Sequence, residues 1–260
     1  MPSIIDHNGV VRNLSLQQPS EADLKLRASC PSAEQFLADQ GIEIIPESQW
    51  EDVDVDFGPE FFNDQQSSSG CVGWSAAGAE MRMRAMRGMP FEDLSGAFVY
   101  AHINGGQDAG ASITSSMDAG KRFGYCLRSE FDLPHIYYNQ IPESAKQSGL
   151  TRQSDLCIPI DTLEQMYTFV KYRFPVQYGV FVGSNFNYFS DGVAGYTNAR
   201  YANHSVLCCR WKRTNGVWTP GLDNSWSRSW GPFRAGFCYV HRNAVKLGDA
   251  YAHVSGEWRN

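Results

Sequence analysis

Up to about Pro134 the chain is written in helix-forming segments, and after it in short runs of β-branched and aromatic residues. That division constrains the fold more than any other feature. WSAAGAEMRMRAMRG, from Trp74 to Gly88, collects strong helix formers, with Trp74, Ala77, Met81 and Ala85 recurring at spacings of three and four. LSGAFVYAHI and ASITSSMDAGKRFG predict two further helices, and TLEQMYTFVKYRF one more in the second half. VQYGVFVG, HSVLCCRWKR, VWTPGLDN and GFCYVHRNAV read as strands, because Gly, Asn and Pro bound them. Helices first and strands afterwards predict an α+β fold of two packed halves. With 260 residues and 42% apolar side chains, the chain can bury one substantial core. There is no internal repeat and no low-complexity tract.

The same composition excludes several partners. The net charge of −6 comes from 28 acidic against 22 basic side chains, and no run of Lys or Arg forms a phosphate-binding stripe, so nucleic acid is not expected. No stretch reaches the roughly 18 apolar residues of a membrane span, and MPSIIDHNGVVRN does not read as a signal peptide. The seven cysteines are odd in number and form no CxxC array, which predicts reduced thiols and no metal. The expected setting is a reducing intracellular compartment or a virion. Cys208 and Cys209 would point to opposite faces of a strand. No organic cofactor is implied.

Cys71 differs from the other six cysteines by its surroundings. It opens the first long helix, where the helix dipole favours a thiolate. Gly70 and the small residues Ser67, Ser68 and Ser69 before it predict a sharp turn and close approach of a substrate backbone. Residues 1–43 read as an N-terminal extension with a short helix at Ser32 to Gln40. Its stretch from Leu24 to Gln40 is long enough to pack along a lobe, through Leu24, Leu26, Phe36 and Leu37, or to cross a cleft and block it.

Three motifs give the chain a likeness. IPESQWEDVDVDFGPEFFNDQQSSSGCVGWSAAG resembles the catalytic entry of the papain and cathepsin family, with a Gln six residues before the Cys. NHSVLCCRW resembles the family's strand that opens on the catalytic His, and DNSWSRSWGPFRAGFCYV its Asn-Ser-Trp and Trp-Gly signature. The order and the distances match, at the ~130 to 150 residues this family places between its Cys and its His and Asn. The likeness implies a papain-like peptidase domain over 44–260, with a helical lobe around the Cys71 helix, a β-barrel-like lobe carrying His204 and Asn224, and a cleft between them. It further implies peptide hydrolysis through an acyl-enzyme on Cys71, with His204 as general base and Asn224 as its orienting partner. Trp226 would shield that pair. Gln65, with Gln66 as its competitor, would donate to the oxyanion. Gly110, with Gly105 and Gly106 as competitors, would pair with an extended peptide or protein substrate.

The pattern departs from the family in places. Val72 follows the Cys where an aromatic residue is usual, Ser68 stands where many members have a Cys, and no long helical propeptide precedes the catalytic region. Two other functions share the motifs: a papain-like scaffold serving as a component of a larger protein assembly such as a virion, and a peptidase specialised for cell-wall stem peptides.

Overall fold

The computed structural model describes residues 2–254. The helices are α1 (Glu21–Ala28), α2 (Ala33–Asp39), α3 (Cys71–Met86), α4 (Gly96–Ile103), α5 (Ile113–Arg122), α6 (Glu143–Leu150) and α7 (Leu163–Lys171). The strands are β1 (Ser3–Ile5), β2 (Val11–Asn13), β3 (Val53–Asp54), β4 (Leu156–Ile160), β5 (Val176–Val180), β6 (Phe189–Ser190), β7 (Val193–Ala194), β8 (His204–Cys208), β9 (Arg210–Thr214), β10 (Val217–Asp223), β11 (Phe237–Val240) and β12 (Val245–Val254). This is the expected two-lobed α+β fold. One lobe holds α3 to α6, and the other is a ten-stranded sheet in the order β4-β12-β5-β8-β10-β11-β7-β6, with β3 and β9 attached to β10 through β9. A separate antiparallel pair, β1 and β2, lies at the N-terminus.

Helix α3 corrects one expectation. Its apolar spacing predicts a one-sided helix, yet Cys71 through Arg84 are all buried. The reason is position, since α3 lies between the lobes and is covered on every side. Small residues allow the crossing: a side chain at Gly73 would meet the carbonyl of Gly96 at 2.4 Å, on the α4 side, and one at Gly78 would meet Leu207 of β8 at 3.2 Å. The polar residues of α3 therefore need buried partners. Arg82 donates to Asp223 at 3.0 Å, and the guanidinium of Arg210 faces the same carboxyl from the sheet. This pins α3 to the end of β10, next to Asn224.

The N-terminal residues pack on the β lobe. Phe36 of α2 stacks on Phe169 of α7 at 5.8 Å, and Leu37 is buried beside it, whereas Leu24 remains exposed. Ser32 caps α2 as its sequence predicts, while the capping box of Ser20 and Asp23 builds a helix, α1, that the sequence reading does not include. The crossing between lobes is made upstream of the expected stretch, by residues 12–17.

Candidate active site

Cys71 enters α3 at its first turn, and β8 begins at His204 on the facing lobe. The backbone N–H groups of Ser205, next to His204, of Val72, of Ser15 and of Cys71 itself favour ionisation of the Cys71 thiol. Behind them, Ser75 Oγ lies 2.8 Å from Ser205 Oγ and donates to the Cys71 carbonyl at 2.8 Å, stitching the helix to the strand. Gln177 of β5 completes that seam: its Nε2 donates to Ser75 Oγ at 2.7 Å and to the Val72 carbonyl at 3.1 Å, and its Oε1 lies 3.1 Å from His253 Nε2.

His204 is fixed from one side only. Its Nε2 lies 2.8 Å from Asn224 Oδ1, which also accepts the Ser225 N–H at 2.9 Å, so Nε2 carries the proton that it donates. Nδ1 is buried without a hydrogen-bond partner. The indole of Trp226 covers the pair, with ring centroids 5.0 Å apart and no exposed surface.

Gln65 lies beside this pair because its backbone N–H donates to the Ser225 carbonyl at 2.9 Å. Ser225 Oγ donates to Gln65 Oε1 at 2.7 Å, which orients the amide, and Nε2 donates one hydrogen to the Ser68 carbonyl at 2.9 Å. The second Nε2 hydrogen remains for a further acceptor. Gln66, its competitor, is exposed with a φ of 50°.

The glycines divide by role. Gly70 has an ordinary φ of −95°, so conformational freedom is not why it is glycine. A side chain there would run into the Trp74 ring at 2.5 Å and the Tyr100 ring at 2.8 Å, so packing requires a glycine at this place. Gly105 and Gly106 meet nothing within 4 Å. Gly110 is different: a Cβ on it would fall 1.7 Å from the Ser15 carbonyl oxygen. Its own N–H donates to Tyr100 Oη at 2.9 Å, and next to it Ala111 O accepts from Gln17 N at 3.0 Å.

Burial works against the expected thiolate. It pushes the Cys71 thiol up to about 11, against the backbone N–H groups that favour its ionisation, and pushes the His204 imidazole down to about 4.

All seven cysteines are free. Among the described residues no group of three or more His, Cys, Asp or Glu side chains could hold a metal ion, and no helix is long and apolar enough to cross a membrane.

The model of the papain family cysteine proteases matches residues 97–255, more than half of the chain and including both His204 and Asn224. The chain belongs to the papain family of cysteine proteases. It is thus a cysteine peptidase, a hydrolase acting on peptide or protein substrates. The family match begins after Cys71. Solved papain-like structures cover the rest: xylellain, a cysteine protease from Xylella fastidiosa, aligns over 98% of this chain and 94% of its own at 14% identity and a TM-score of 0.65. Digestive procathepsin L 3 of Tenebrio molitor larval midgut aligns over 85% and 78% at 18% identity and 0.63. The proform of Amb a 11, a ragweed pollen cysteine protease, aligns over 93% and 77% at 15% identity and 0.67. No curated protein matches the sequence.

Ser225, Ser205, Ser75 and Gln177 are site-supporting residues absent from the sequence reading. Gln177 carried a signal, being the one amide in the apolar run VQYGVFVG. Ser225 lies inside the Asn-Ser-Trp motif itself.

Proposed function

We propose that the protein is an endopeptidase whose Cys71 attacks the peptide carbonyl and is acylated, in a reducing compartment where its thiols stay unpaired. The observation that carries this is the one-sided fixing of His204. Asn224 Oδ1 accepts the hydrogen bond from Nε2–H, which leaves the Nδ1 lone pair free to accept the thiol proton. The imidazolium would then protonate the leaving amine, and the Trp226 indole would keep water away from the His204–Asn224 bond. Gln65 Nε2 and the Cys71 N–H would stabilise the oxyanion of the tetrahedral intermediate. Water admitted to the same site would release the acyl group, with His204 acting again as base.

The test is cleavage of an unfolded protein substrate, followed as new N-termini by mass spectrometry, by the wild type and by Cys71→Ala. The proposal requires internal cleavage by the wild type and none by the variant. Cleavage that persists in Cys71→Ala would assign the chemistry elsewhere.

A further inference from the structure

We infer that Asp108 is a positioning residue for the oxyanion site: its carboxylate fixes the peptide group between Ser68 and Ser69, and that group orients the Gln65 amide. The inference rests on the site proposed above and adds a residue to it.

A peptide group is planar and rigid, so whatever holds its N–H also aims its carbonyl. The group that joins Ser68 to Ser69 is held at both ends. Its carbonyl, on Ser68, accepts from Gln65 Nε2 at 2.9 Å, and its N–H, on Ser69, donates to Asp108 Oδ1 at 2.8 Å. In a trans peptide these two groups point opposite ways, so Gln65 and Asp108 grip the plane from opposite sides. Turning the plane toward one partner breaks its bond to the other. The carboxylate also makes the Ser69 bond charge-assisted and polarises the peptide, which strengthens its carbonyl as an acceptor for Gln65. With one Nε2 hydrogen so committed and Oε1 held by Ser225 Oγ at 2.7 Å, the direction of the second Nε2 hydrogen is set. Cys71, whose N–H is the other proposed oxyanion donor, follows Ser69 by two residues, so one short run carries both donors.

Asp108 is itself fixed from α4. Tyr100, fully buried, donates its hydroxyl to the same Oδ1 at 2.9 Å and accepts the Gly110 N–H at 2.9 Å. Asn104, the C-cap of α4, shapes the turn that carries Asp108: its Oδ1 accepts the Gly106 N–H at 2.9 Å, and its Nδ2 donates to the Ile136 carbonyl at 2.6 Å. A continuous path of hydrogen bonds therefore runs from the end of α4 through Asp108 to the loop before Cys71. The loop needs such support. Helix α3 has no side-chain cap at Gly70, and Ser67, Ser68 and Ser69 offer little side chain to fix it by packing.

The experiment is steady-state kinetics on an internally quenched peptide spanning a bond that the wild type cuts. Wild type is compared with Asp108→Ala, Asp108→Asn and Tyr100→Phe, each with and without Gln65→Ala. Asp108→Ala should lower kcat by about ten-fold or more with KM within about two-fold, as loss of aim at an oxyanion donor requires. Asp108→Asn keeps an oxygen for the Ser69 N–H and should recover most of that loss, with Tyr100→Phe in between. Adding Asp108→Ala to Gln65→Ala should cost little more than Gln65→Ala alone, because both act through one amide. An unchanged kcat in Asp108→Ala would overturn the inference. Losses that multiply in the double variant would overturn it too, since they put Asp108 on a separate path. Should Asp108→Ala not fold, Tyr100→Phe keeps the ring in its packing and carries the same comparison with Gln65→Ala, under the same criterion. A wild type that cuts no peptide or protein rejects the peptidase proposal and this inference with it, whereas a wild type that cuts and an Asp108→Ala that equals it reject this inference alone.

Discussion

Arg82 Nη2 lies 3.0 Å from Asp223 Oδ2 with both side chains 2% exposed, so the helix that starts at Cys71 is tied by a buried charge pair to the strand residue before Asn224. The pair holds α3 against the end of β10, next to Asn224.

Asp223→Ala leaves Arg82 and Arg210 buried without their shared carboxylate. Removing one partner of a buried pair costs about 3–5 kcal/mol. Urea unfolding monitored by tryptophan fluorescence should show a loss of that size, and a change below ~1 kcal/mol would mean that water replaces the carboxylate.

Cys71→Ala and His204→Ala should each abolish cleavage, and the double variant should be little worse, because the residues act as a unit. Asn224→Ala should be milder, since orientation is lost while thiol and imidazole remain. Gln65→Ala should lower kcat by ~10²- to 10³-fold with little change in KM. These values are to be measured by steady-state kinetics on a peptide substrate, and a Gln65→Ala effect confined to KM would reject its oxyanion role.

Glu80 is buried in α3, and burial raises its carboxyl from the ordinary 4.5 to about 7, against the pull of Arg87 and Arg84. The folded state therefore binds this proton more tightly than the unfolded one. Its contribution to stability is complete below pH ~4.5 and is lost as pH rises through about 7. Glu80→Gln stays neutral, so the variant should be more stable than wild type at pH 8 and nearly equal at pH 4.5. At ~1.4 kcal/mol per unit the difference is on the order of 3 kcal/mol at most. Paired thermal melts across that range read it directly, and parallel curves would show that Glu80 is not desolvated.

Gln177→Leu should weaken both stability and turnover. The substitution leaves His253 Nε2 buried without its partner, at about 1–3 kcal/mol for one unsatisfied group, and removes one donor from the Ser75 and Ser205 hydroxyls, which keep each other. A kcat that falls while KM holds would mark Gln177 as a residue that positions the Cys71 helix against His204. Loss of stability alone would leave it purely structural.

The motifs around Cys71, His204 and Asn224 were legible because each is a short run of neighbouring residues whose order survives translation into three dimensions. The helices at Gly96, Ile113 and Leu163 were legible for a similar reason, as caps and periodicity are local. What could not be read are relations between distant residues. Arg12 reaches Asp64 and Trp226, and nothing in VVRNLSLQQ announces either partner. The apolar spacing of α3 did not announce its burial on every side, because Ala, Gly and Ser make contact on every face of a buried helix. β12 escaped because Gly248 and Asp249 interrupt its alternation, where its pairing with β5 shifts register between Lys246 and Tyr251. The upward push on the Cys71 thiol was hidden too, since helix position is local and burial depends on everything packed around it.

Residues 12–17 bond to Asn203 on one lobe and to Ala111 on the other, with β2 at their start and α1 after them. The two lobes are therefore clasped by a segment that is itself anchored at both ends, and they cannot swing apart without parting from it. A nick in this segment would leave each lobe chemically whole yet join them more loosely.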